Sequence, residues 1–219
     1  MVSPSRNLDL HGSAPDASSI ALLLIDVINA LEFKGAETLV EPALAMARAV
    51  AELKRRCARA GIPAIYVNDN FGRWREDQHA IIARALKPGT LGQPVAELLR
   101  PAAEDYFVVK PKHSGFFATP LDTLLTYLRV RTVILTGIGT ELCVLFTAND
   151  AYMRDYRLVV PSDCVTAIDP GEGTHALQRM VDVLQADVRP STNLGLREPG
   201  DSILLAGFKH LAALLGRAG

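Results

Sequence analysis

The stretch that most constrains the fold is residues 132–153, TVILTGIGTELCVLFTANDAYM. It opens with the apolar run Val133, Ile134 and Leu135, then passes through Thr136, Gly137 and Gly139. A Leu-, Val-, Phe- and Ala-rich pattern without Gly or Pro follows. Together these read as a buried strand, a tight turn and a helix. Cys143 falls in the first turn of that helix, where unpaired N–H groups and the positive end of the helix dipole favour a thiolate. The competing reading is a small buried core thiol. The rest of the chain decides between them.

Upstream, IALLLID at residues 20–26 is a continuous apolar run closed by Asp26, the pattern of a strand buried on both faces. Residues 40–60 place Leu44, Ala47, Val50, Ala51, Leu53 and Ala58 at helical spacing before a Gly61 stop. PAIYV at 63–67 is a second strand, so the first three elements form a βαβ unit with parallel strands. The polar stretch 71–78 holds the single tryptophan, Trp74, just past a strand end where open α/β sheets place ligands. Short helices are expected at 80–86 and 94–99, and a third strand at 106–109 that ends in Lys110. A helix follows at 121–128 after Thr119-Pro120, then the strand and helix of the opening stretch. Residues 158–160 read as strand five, 172–185 as a helix and 187–189 as a short sixth strand.

The fold class expected is therefore α/β, one doubly wound parallel sheet with helices on both faces. Residues 1–19 form a polar N-terminal arm, 20–190 the domain, and 191–219 an extension. Within that extension, 202–215 is amphipathic and suits either a cap or a docking face. With 49% hydrophobic and 21% charged residues, the 219-residue chain has the balance of a globular protein with a substantial core. A net charge of −1 offers nucleic acid or anionic membranes no electrostatic attraction. No apolar run approaches the ~20 residues of a membrane span, and the N-terminus lacks the apolar core of a signal peptide. The three cysteines, Cys57, Cys143 and Cys164, have neither disulfide-framework nor zinc-thiolate spacing. A reducing cytoplasm is the expected setting.

Ligands gather at the carboxyl ends of strands in such a sheet. Three of those ends carry Asp26, Lys110 and Cys143. Asp26 has an alternative role as a turn cap, and Lys110 as a solvated strand-end lysine. Lys112 rivals Lys110, although Pro111 argues against a strand that continues to it. As a set, the acid, the ammonium and the thiol make a coherent apparatus. The carboxylate takes a proton from the thiol and returns it to a leaving amine. The ammonium favours the charged forms of both neighbours, and helix-start N–H groups suit an oxyanion.

The motifs LLLIDVIN, YVNDN, VVKPKHSGFF and GIGTELCV carry a resemblance to the isochorismatase-like cysteine hydrolases, across residues 20–189. This superfamily includes isochorismatases, nicotinamidases and N-carbamoylsarcosine amidases. The resemblance implies a six-stranded parallel sheet, with Asp26 as general base, Lys110 as charge partner and Cys143 as nucleophile. It further implies that Gly139 and Thr140 flank a non-proline cis peptide that turns an N–H toward an oxyanion hole beside Cys143. A homo-oligomer, dimer or tetramer, acting on a small molecule without a cofactor is the implied assembly.

Departures from the family pattern narrow the chemistry. Ile28 and Ala30 stand where many members have Gln and a second Asp. Nicotinamidases carry a metal-binding Asp-x-His…His after the second strand, whereas His79 here has no companion, so no metal is expected. Members that hydrolyse the isochorismate vinyl ether generally lack the cysteine, so Cys143 favours an amide, imide or carbamoyl substrate. The alternatives are a vinyl-ether hydrolase using Asp26 as acid and a non-catalytic binding protein on the same fold. Further candidates for the pocket are Asn70, Phe71, Trp74, His113 and Phe116. Trp74 either faces substrate or anchors a loop; His113 is a candidate proton relay; Phe116 and Phe117 either wall the pocket or pack the core. Arg73 and Arg75 either bind a substrate carboxylate or face solvent. Cys57 and Cys164 read as structural thiols.

Overall fold

The computed structural model describes residues 17–196. Most of the N-terminal arm and the amphipathic stretch 202–215 lie outside the described residues. The apolar run after the arm forms β1 (Ile20–Ile25), buried at every position. Around it a six-stranded parallel sheet is assembled in the order β3-β2-β1-β4-β5, with β6 paired to β4. The other strands are β2 (Ala64–Asp69), β3 (Tyr106–Lys110), β4 (Thr132–Ile138), β5 (Arg157–Val159) and β6 (Val165–Thr166).

Between them run α1 (Val40–Arg59), α2 (Gln78–Ala85), α3 (Gln93–Leu98), α4 (Leu121–Tyr127), α5 (Leu145–Tyr152) and α6 (Pro170–Asp182). In α1, Ala43, Met46, Ala47, Val50 and Leu53 recur at helical spacing and are buried, which is the stripe that fastens it to the sheet. The two faces of β1 feed separate cores. Leu22 and Leu24 pack with Val50, Ile81 and Val95 from α1, α2 and α3. Leu23 and Ile25 pack with Leu125, Ala148 and Met180 from α4, α5 and α6. Continuous apolar sequence in β1 and β4 is thus the consequence of cover on both sides.

Strand order matters most at β1 and β4. The chain winds outward from β1 to β3 and then crosses back to β4, so neighbouring crossovers leave in opposite directions there. The crevice at the carboxyl ends of β1 and β4 is the topological switch point, where this architecture binds ligands.

The sixth strand differs from expectation. It is Val165–Thr166, paired with Gly137 and Ile138, not residues 187–189. The latter stretch makes only a bridge between Asp187 and Val159. The Asp187 carboxylate turns back onto the backbone N–H and guanidinium of Arg189, a local bond that competes with ladder pairing. The start of the expected C-terminal extension packs against the domain body. The Arg56 guanidinium donates to the Ser191 carbonyl at 2.8 Å, and the Ser191 hydroxyl donates to Asp163 at 2.7 Å. Among the described residues, no helix is long and apolar enough to cross a membrane.

Candidate active site

Asp26 is the first residue past β1. Its N–H still donates to the Val67 carbonyl at 3.0 Å, while its φ of 53° turns the chain out of the sheet. Asp tolerates this left-handed conformation better than most residues, because its short side chain can bond locally. Two residues on, the buried Asn68 side chain clamps the backbone of Ile28, accepting at 3.2 Å and donating at 2.8 Å. The Asp26 carboxylate is held from two directions. Oδ1 accepts from the Asp69 N–H at 2.7 Å, and Oδ2 lies 3.0 Å from Lys110 Nζ.

Lys110 is the last residue of β3, in register with Asp69 of β2, and has no exposed surface. Its Nζ donates to Asp69 Oδ2 at 3.1 Å and to Cys143 Sγ at 3.5 Å, besides its contact with Asp26. Lys112 is exposed. Pro111 ends the strand, so only one of the two lysines reaches the crevice.

Cys143 rides on a wide π-turn, Thr140–Val144, that leads directly into α5. Two side chains secure this turn. The Thr147 hydroxyl donates to the Cys143 carbonyl at 2.6 Å and accepts from the Gly115 N–H at 3.0 Å, tying this turn to the loop after Lys110. Glu141 Oε1 accepts from the N–H groups of Ile168 and Asp169 at 2.8 and 3.0 Å, tying the other side to the loop before α6. The expected cis peptide at Gly139-Thr140 is not found: no peptide bond among the described residues is cis. Gly139 makes the reversal in the left-handed conformation at φ 79°, and its carbonyl takes the N–H groups of Leu142 and Val144. A trans bond avoids the roughly 3–4 kcal/mol cost of the cis form.

The electrostatics correct a second expectation. Burial, aided by the Asp26 charge and offset in part by Lys110, pushes the Cys143 thiol up to about 12. The helix-start preference for thiolate is outweighed. Asp26 itself is raised by burial, against the lowering effect of Lys110 and of its hydrogen bond with Cys143. Burial would lower Lys110, but the charges of Asp26, Cys143 and Asp69 raise it above its usual value. Burial thus disfavours the charged form of both the thiol and the carboxyl, and the Lys110 ammonium offsets part of that cost.

The remaining candidates separate. His113 is exposed, with Nδ1 3.9 Å from Cys143 Sγ and its ring 5.2 Å from that of Phe146. Asn70 is buried and shapes its loop, accepting from the Gly72 N–H at 2.9 Å. Phe71 lines a cavity of about 210 Å³ together with Ile28, Ala30, Phe33, Arg73 and Arg84. The residues that depart from the family pattern therefore supply apolar wall. None of Asp26, Lys110 and Cys143 lines this cavity. Trp74 is 78% exposed and stands outside its lining, as does Arg75. Phe116 belongs to the core and not to a pocket wall: it is buried between Tyr156 and the Arg154 guanidinium. Among the described residues, no cluster of three or more His, Cys, Asp or Glu is placed to hold a metal ion.

Sequence reasoning overlooked Asp69, Glu141 and Thr147. Asp69 was within reach of it, since it closes β2 as Asp26 follows β1. The other two act through loops distant in sequence, which no local pattern announces.

The family model for the isochorismatase domain matches residues 20–190. The chain belongs to the isochorismatase family. The isochorismatase family protein YaaI of Bacillus subtilis is 40% identical over 168 residues, 77% of this chain and 92% of that protein. The ureidoacrylate amidohydrolase RutB of Methylorubrum extorquens is 38% identical over 87 residues, 40% of this chain and 35% of that protein. Among solved structures, N-carbamoylsarcosine amidase from Thermoplasma acidophilum superposes with a TM-score of 0.62 at 30% identity, covering 80% of this chain and 97% of that one. This isochorismatase-family hydrolase thus shares the parallel six-stranded architecture of its relatives.

Proposed function

We propose that the protein hydrolyses a C–N bond of a small amide, imide or carbamoyl compound through a thioester on Cys143. The observation that carries this reading is the contact set in which Lys110 Nζ lies 3.0 Å from Asp26 and 3.5 Å from Cys143 Sγ. Relatives named as an amidohydrolase and an amidase support the C–N class.

The thiol is too weakly acidic to rest as thiolate, so its proton passes to Asp26 as sulfur attacks the substrate carbonyl. Lys110 stays charged throughout and steadies the developing thiolate. The oxyanion is taken by the backbone N–H of Cys143, at the turn that leads into α5. When the tetrahedral intermediate collapses, the C–N bond breaks and Asp26 returns the proton to the leaving amine or ammonia. Water, giving a proton to Asp26, then attacks the thioester; the acid departs and Cys143 regains its proton. No cofactor takes part in these steps.

The test is ammonia release from a panel of amides, ureas and imides by wild-type enzyme and Cys143→Ala. Turnover is expected in the wild type and at least 10⁴-fold less in the variant. An active Cys143→Ala enzyme would exclude the thioester and leave the chemistry to Asp26 alone.

A further inference from the structure

Two carboxylates hold the buried ammonium, and the reaction just described uses only one. Lys110 Nζ has three N–H donors. They face Asp26 Oδ2 at 3.0 Å, Asp69 Oδ2 at 3.1 Å and Cys143 Sγ at 3.5 Å. When Asp26 takes the thiol proton it becomes neutral and its hold on Lys110 weakens. Asp69 remains. We propose, on the basis of the function above, that Asp69 is a positioning residue of the reaction, its carboxylate keeping the Lys110 ammonium aimed at Cys143 while Asp26 is protonated.

The fold supports this at low entropic cost. Asp69 and Lys110 are direct partners in the β2–β3 ladder, so the backbone already sets their separation. The Asp69 N–H donates to Asp26 Oδ1 at 2.7 Å, linking it to the base as well. Its Oδ1 accepts from the Phe71 N–H at 2.7 Å, fixing the residue whose ring lines the cavity. One side chain thus joins ammonium, base and pocket wall. The other groups facing Lys110 and Cys143 are Asp26 from the end of β1 and His113 from the loop after β3. Glu141, on the π-turn itself, has one carboxylate oxygen engaged by Ile168 and Asp169.

Electrostatics supplies a readout that a purely structural role would not move. Asp69 draws on the same ammonium that partly stabilises the thiolate. Removing its charge frees that ammonium for sulfur, so the thiol ionises more readily while the catalytic geometry loosens. Asp69→Asn suits the test, because it keeps an oxygen for the Phe71 N–H while its amide NH2 replaces the charged oxygen that accepts from Lys110.

The experiment compares wild type, Asp69→Asn and Asp69→Glu in two assays: turnover of the panel compound the wild type hydrolyses fastest, and iodoacetamide labelling of Cys143 at pH 8. For Asp69→Asn, turnover is expected to fall about 10²-fold. Cys143 labelling is expected to quicken several-fold, with Cys57 and Cys164 still protected. Asp69→Glu, which keeps the charge, is expected to return labelling toward the wild-type rate. Unchanged turnover in Asp69→Asn, unchanged or slower Cys143 labelling, or equal acceleration at all three cysteines would overturn the proposal. Labelling needs no substrate, so it reports on Asp69 even if Cys143→Ala proves active and the thioester reading fails.

Discussion

A lysine with no exposed surface is costly unless its charge is met at close range. Lys110 meets two carboxylates and a thiol. Asp26 raises the Cys143 thiol whereas Lys110 lowers it. Asp26→Asn should therefore speed iodoacetamide labelling of Cys143 at pH 8 while abolishing turnover, because it removes the proposed base. Lys110→Met should slow labelling and abolish turnover too. Each change in labelling is expected to be about tenfold, the equivalent of one pKa unit. Labelling that moves the same way in both variants would contradict the opposed roles of the two charges. Cys57 and Cys164 are wholly buried, so both should label after Cys143 in the wild type. At this scale Asp26, Lys110 and Cys143 were legible, because each closes or follows an apolar run in sequence. Asp69 escaped notice because its significance comes from the residue across the ladder, Lys110.

The element that carries Cys143 runs from β4 through the π-turn into α5, and its two glycines do different jobs. Gly137 pairs with Ile25, beside Asp26, and a Cβ there would sit 2.0 Å from the Ile25 carbonyl oxygen. Gly139 has room: a Cβ would approach Cys143 N only to 3.6 Å, leaving the left-handed φ of 79° as the penalty. Gly139→Ala should accordingly cost about 1–2 kcal/mol in urea unfolding. Gly137→Ala should cost about 3 kcal/mol or more, since backbone must move against backbone at the central strand pair. Equal losses would show that the close approach of β1 and β4 is softer than the geometry requires. Strand, turn and helix were all readable from periodicity and small residues. The π-turn was not, because it is held by the ties that Thr147 and Glu141 make to other loops.

For the whole molecule, three thiols, Cys57 and Cys164 buried and Cys143 partly so, couple stability to alkaline pH. Burial pushes Cys57, Cys143 and Cys164 each to about 12 from an unfolded value near 9.0. The folded chain keeps these protons where the unfolded chain releases them. Their stabilisation is intact below pH 9 and is lost as pH rises toward 12. Each thiol should steepen the loss by about 1.4 kcal/mol per pH unit in that window. Urea midpoints of wild type and Cys57→Ala/Cys164→Ala, taken from pH 8 to 10.5, should show the shallower decline in the variant; parallel curves would refute the linkage. The sequence by itself determined the alternation of strands and helices, the parallel sheet and the three chemical groups at its rim, because burial on both faces leaves continuous apolar runs with polar closures. Only the tertiary structure decided the rest. It brought a fourth group, the Asp69 carboxylate, onto Lys110, moved the sixth strand to Val165–Thr166 and put Phe116 in the core. It also raised the proton affinity of the thiol. Each of these depends on which distant segments come within a few ångströms of one another, and Coulomb and packing energies are set at that distance.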